Sequence, residues 1–114
     1  MMQKLFDYLA DLGYEVYFPN QKTGECTSFY IVLKEQLTTS SIYSFKLGHT
    51  NIDVILYAPR TQTLALLDKK KEIKEHLKSY EGLFYGGYES PTIEDDSVKG
   101  ITCSVTYRAQ KVLI

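Results

Sequence analysis

Residues 101–108 alternate strictly between apolar and polar positions. Ile101, Cys103, Val105 and Tyr107 fall on one side of the chain, and Thr102, Ser104, Thr106 and Arg108 on the other. A period of two with one greasy and one hydroxyl-rich side predicts a strand half-buried in an antiparallel sheet. The same alternation runs through residues 51–58, where Ile52, Val54 and Leu56 oppose Asp53, Ile55 and Tyr57 until Pro59 ends the run. Tyr43, Phe45 and Leu47 alternate just before it, with Gly48-His49-Thr50-Asn51 as a turn or bulge, so the pattern allows one bent strand or a hairpin over 43–58. Phe29-Tyr30-Ile31-Val32-Leu33 predicts a nearly continuous apolar strand and Glu15-Val16-Tyr17-Phe18 a short one. The polar stretch 20–27 and the Thr- and Ser-rich stretch 36–42 predict loops, the second of them mobile. A further loop holding Gly86, Gly87 and Pro91 is expected to lead into the last strand.

Two segments follow a helical period instead. Leu5, Phe6, Leu9 and Leu12 make one stripe over residues 3–12, with Gly13 as the stop. Leu66, Ile73, Leu77 and Tyr80, supported by Leu64 and Leu67, make another over 63–80, ended by Gly82. Consecutive strands with polar connections favour antiparallel pairing. The expected architecture is α+β: a single domain over residues 1–114, with an antiparallel sheet of about four or five strands and two helices packed on one face.

Composition narrows the function classes. A chain of 114 residues is long enough for one modest core. Net charge is −1, which gives no overall electrostatic drive toward nucleic acid or an anionic membrane. Two distant cysteines do not make a disulfide framework and suit a reducing compartment. Asp7 and Asp11 break the first apolar stretch, so a signal-peptide layout is not expected, nor is a membrane span. The two histidines, His49 and His76, have no partners at ligand spacing, and no metal or other cofactor is expected. Cys103 lies on an apolar strand face and reads as a small buried hydrophobe. Cys26 falls in a polar loop, open to exposure, with nothing in sequence to lower its pKa and no base assigned to it. Gly86-Gly87 lacks the strand–loop–helix context of a phosphate cradle. No catalytic residue is proposed. Ten tyrosines and no tryptophan point instead toward surfaces wet in the monomer and covered in a complex.

Charge is patterned even though it nearly cancels. Lys69, Lys70, Lys71, Lys74 and Lys78 crowd the second helix against Glu72 and Glu75, while Glu89, Glu94, Asp95 and Asp96 gather before the last strand. Scarce arginine and the lack of interleaved aromatics argue against reading the lysines as a nucleic-acid surface. Opposite charges on two separate surfaces suit a head-to-tail contact between copies, which makes a ring if it closes. These nine residues are the candidate interface of a salt-sensitive homo-oligomer.

With the whole order in view, the chain resembles the tail-terminator, or tail-completion, proteins of long-tailed bacteriophages and prophages. The pieces are Tyr14-Glu15-Val16-Tyr17 with a polar loop through Gly24, leading to Phe29-Tyr30-Ile31-Val32-Leu33-Lys34-Glu35. Asp53-Val54-Ile55-Leu56-Tyr57-Ala58-Pro59 follows, directly before a Leu- and Lys-rich helix. The last piece is Glu89-Ser90-Pro91-Thr92-Ile93-Glu94-Asp95-Asp96-Ser97-Val98-Lys99, before the strand that ends Tyr107-Arg108. The resemblance implies a structural protein without catalysis: a ring, commonly a hexamer, that caps the tail tube, stops its polymerisation and meets the head connector. DNA would pass through the lumen without sequence-specific binding. The protein would sit in the host cytoplasm during assembly and at the head–tail interface of the virion afterwards. It also implies that the acidic loop 89–96 and the lysine helix face neighbours or the next ring, and that the 36–42 loop orders on docking. The alternatives are a head-completion or connector protein and, from another class, a small nucleic-acid-binding regulatory module.

Overall fold

The computed structural model describes residues 2–41, 44–80 and 82–112. Its elements are α1 (Met2–Asp11), β1 (Val16–Tyr17), β2 (Tyr30–Ser41), β3 (Ser44–Pro59), α2 (Thr63–Leu77), β4 (Leu83–Glu89), β5 (Ile93–Asp95) and β6 (Gly100–Val112). The class is α+β, as expected. The six strands form one sheet in the order β1-β2-β3-β6-β4, with β5 also paired to β6.

The sheet is mixed rather than antiparallel throughout. β1 runs parallel to β2, with Val16 beside Ile31 and Tyr17 beside Val32. A parallel pair needs a crossover of about a dozen residues, and the polar stretch between Tyr17 and Tyr30 provides one. Every other pairing is antiparallel.

The alternating pattern positions the core. In the register of β3 on β6, Ile52 lies opposite Tyr107, Val54 opposite Val105 and Leu56 opposite Cys103. β2 adds Leu33 beside Val54 and Ile31 beside Leu56. All of these are buried in one apolar cluster with Leu5 and Leu9 of α1 and Leu66, Ile73 and Leu77 of α2. Burying each Leu or Ile side chain contributes roughly 1.5–3 kcal/mol, so this cluster is the main source of stability. Thr102, Ser104 and Thr106 lie half-buried on the other face, and Arg108 is exposed.

Several expected boundaries move. Residues 36–41 belong to β2, pairing Thr38 with Thr50, Thr39 with His49 and Ser40 with Gly48 across a register shift. Threonine is a good strand former, and the polarity that suggests a loop is compatible with a ladder whose backbone groups are satisfied by pairing; residue 42 lies outside the described residues. Residues 44–59 form a single strand; residues 48–50 continue it with a partner on each side, and Asn51, at the register shift of β2, pairs with Arg108 of β6. Leu64 and Leu67 are exposed and do not support the buried stripe of α2. The helix ends at Leu77, but Tyr80 still packs against the core and meets Tyr8 in a tilted ring contact at 4.7 Å between ring centres. Gly13, at φ +97°, stops α1 as expected.

The expected loop around Gly86 and Gly87 is strand β4. A bulge separates Tyr85, which pairs with Tyr107, from Tyr88, which pairs with Thr106. Gly87 takes φ +79° there, and a side chain on Gly86 would meet the Thr106 carbonyl oxygen at 2.7 Å. β4 and β5 follow one another along the same side of β6, with Pro91 between them, a position a sheet edge tolerates.

Candidate functional site

The α2 helix and the β4–β5 edge bound a groove. Its seed is the spacing of α2: Leu66, Ile73 and Leu77 turn into the core, which leaves Lys70 and Lys74, one helical turn apart, beside β4. Glu89, at the end of β4, points back to them. Lys74 Nζ donates to Glu89 Oε2 at 2.7 Å, Lys70 Nζ lies 3.0 Å from Oε1, and the Tyr85 hydroxyl donates to Oε2 at 2.6 Å. The hydrogen bonds from Lys74, Tyr85 and Lys70 hold the Glu89 carboxyl down to about 2. Lys74 also lies 5.5 Å from the Tyr85 ring centre.

Two clefts follow from this arrangement. One, about 310 Å³, is lined by Lys74, Glu75, Leu77, Lys78, Tyr85 and Tyr107. The other, about 420 Å³, is lined by Leu67, Lys70, Lys71, Lys74, Glu75 and Glu89. They share Lys74 and Glu75 and make one groove along α2. Burial pushes the Tyr107 phenol up to about 12, with Glu89 adding to it, so it stays a neutral hydrogen-bonding group at ordinary pH.

The edge beside the groove is unusually apolar for a surface. Phe84 and Tyr88 are each 63% exposed, Ile93 55% and Tyr85 52%. Their registers put Tyr85 on the core side of the sheet, with Phe84, Tyr88 and Ile93 on the other.

The nine candidate interface residues separate into groups. Glu89 is not part of an outward-facing acidic loop but the hub that pairs with both Lys70 and Lys74. Lys69 sits on another flank of α2, 4.0 Å from Glu72 and over the Tyr14 and Phe29 rings. Glu72 in turn accepts a short hydrogen bond from the Tyr14 hydroxyl, which raises the phenol further above its ordinary range after burial. Asp95 is tied into a turn: its Oδ1 accepts from Ser97 N at 3.0 Å and Ser97 Oγ at 2.6 Å. Asp96 pairs with Arg60 at 2.7 Å on the surface. Lys71, Lys78 and Glu94 are exposed and make no ion pair among the described residues.

The other face of the sheet carries Tyr30 and Tyr57, stacked at 4.9 Å between ring centres, with Tyr17 edge-on to Tyr30 at 5.7 Å. Lys22 lies over both Tyr17 and Tyr30. Burial pushes the Tyr30 phenol up to about 12. Cys26 is buried, not exposed: the loop closes on the 95–99 turn through a 2.6 Å bond from Cys26 N to Val98 O. Burial raises the thiols of both Cys26 and Cys103. His76 contributes its backbone oxygen to the Tyr8 hydroxyl at 3.2 Å; the side chain of His49 lies outside the described residues. Among the described residues no three His, Cys, Asp or Glu side chains gather as metal ligands, and no helix is long and apolar enough to cross a membrane.

Sequence reasoning missed the exposed aromatic edge. The available signal was Leu83-Phe84-Tyr85, an apolar run with two strongly strand-favouring aromatics, masked by the two glycines after them. No protein-family model and no curated protein matches the chain.

Proposed function

We propose that this chain is a structural assembly protein of the tail-terminator type, acting without catalysis. Copies close into a ring, a hexamer, that caps the tail tube, stops its growth and receives the head connector, while DNA passes through the lumen without being read. The observation that carries this reading is the β4–β5 edge: four large exposed side chains, three of them aromatic, beside an open strand. Soluble proteins usually blunt such edges, and aromatic residues concentrate where partners bind. In this reading both helices cover one face of the sheet. The 4.7 Å tilted ring contact between Tyr8 and Tyr80 and the bond from Tyr8 to the His76 carbonyl favour that arrangement.

The nucleic-acid alternative is weaker, because two of the candidate lysines, Lys70 and Lys74, are already paired with Glu89. The test is co-assembly. Tail tubes of the cognate particle grown with the protein should stop short and carry rings at one end in electron micrographs. Attachment to emptied heads but not to tubes would favour the head-completion alternative. Attachment to neither would sink the assembly reading.

A further inference from the structure

The ring reading leaves open which surfaces of neighbouring copies meet, and the following rests on that reading. The positive groove and the acidic turn lie along the same side of β6. The groove sits near Tyr107, and the turn joins β6 at Gly100. At their nearest, Glu89 of the groove lies opposite Val105 and Glu94 opposite Ile101, four strand residues or roughly 13 Å apart, and among the described residues no ion pair joins the turn to the groove within one copy. Each feature is left with unmet charge. On the groove, Lys70 and Lys74 are satisfied by Glu89, but Lys71 and Lys78 flank it without an ion pair among the described residues. At the turn, Asp95 is tied to Ser97, while Glu94 at the end of β5 and Asp96 are exposed; among the described residues Asp96 pairs with the exposed Arg60 alone.

We propose that the end of β5 and the turn after it, carrying Glu94 and Asp96, dock in the α2–β4 groove of the next copy, against Lys71 and Lys78. Tyr85 forms the apolar wall of the contact. The occupant is therefore a second copy of this chain, and the contact is head-to-tail. A two-fold pairing of the same edge with itself is disfavoured by its middle. The bulge at Gly86–Gly87 and Pro91, which has no N–H, interrupt the ladder where the two copies would cross. A preformed turn loses little freedom on docking, and the opposed charges set the register.

The test reverses each half separately. K71E/K78E and E94K/D96K both change exposed side chains and spare Glu89 and Asp95; the second gives up the exposed Asp96–Arg60 pair, so thermal melting of each should lie within a few degrees of the unmodified chain. Assembly is followed by light scattering at low salt and by ring formation on tail tubes. Each variant alone should need a concentration higher by about tenfold or more to assemble, and an equimolar mixture of the two should recover the unmodified behaviour, since each reversed surface then meets its complement. Normal assembly of either variant alone, or no recovery in the mixture, overturns this contact while leaving the ring standing. A species of two copies for the unmodified chain overturns the head-to-tail geometry. An unmodified chain that forms no ring, free or on tubes, removes the ring reading and this contact with it.

Discussion

Glu89 shows how much one side chain can hold. It accepts from two ammonium groups and a phenol, and its folded pKa of about 2 lies below the ordinary 4.5. A depressed carboxyl pKa means stability that is present above the unfolded value and is lost as pH falls from about 4.5 toward 2. The site opens to water, so the contribution is discounted from the full shift. Glu89→Gln should cost on the order of 1–2 kcal/mol at pH 7 in urea unfolding, with the gap to the unmodified chain closing near pH 2–3. A gap that persists at that pH would mean the glutamine disturbs packing rather than charge. The cysteines make a second residue-scale case. Both thiols are buried and shifted upward, so an aromatic disulfide reagent at pH 8 should label neither until denaturant is added. Fast labelling of one thiol in the native protein would show that the loop carrying Cys26 opens.

At the scale of elements, the buried and exposed sides of the α2–β4 unit should respond to substitution in opposite ways. Ile73 is fully packed under α2, and Ile73→Ala should cost about 2–5 kcal/mol in chemical denaturation. Phe84 stands out from the sheet edge; Phe84→Ser should stay within about 0.5 kcal/mol while weakening assembly on tubes. A large stability loss from Phe84→Ser would place it in the fold rather than in a contact. This contrast also marks what could be read from the chain. The core of β3 and β6 was legible because alternation at Ile52, Val54, Leu56, Ile101, Cys103, Val105 and Tyr107 encodes the buried face directly, and all seven are buried. Residues 36–41 were not, because their strand state depends on cross-strand pairing with residues 44–50, a non-local term that local polarity does not carry. The parallel β1 was hidden for the same reason: direction is set by where the crossover returns, not by the strand's own residues. Of the candidate site, the lysines of α2 and the acids of residues 94–96 were visible as charge. Their sorting into satisfied and unmet groups required the fold, since it turns on Glu89 reaching back across the groove.

For the whole molecule, salt is the discriminating variable because the net charge is only −1. Overall repulsion between copies is then small, and any effect of ionic strength on assembly reports local patches rather than the total charge. The Debye length falls from about 30 Å at 0.01 M to about 8 Å at 0.15 M and 3 Å at 1 M. Contacts between exposed carboxylates and ammonium groups weaken over that range, whereas burial of Phe84, Tyr85, Tyr88 and Ile93 does not depend on it in the same way. If charge registers the ring and the aromatic edge supplies its adhesion, light scattering should give a defined species near six copies at low salt. Raising salt to about 0.5 M should slow its formation and shift it toward monomer without destroying the fold, which circular dichroism would follow. Assembly that strengthens steadily with salt would assign both register and adhesion to the apolar edge, and the charge patches would then have no part in holding copies together.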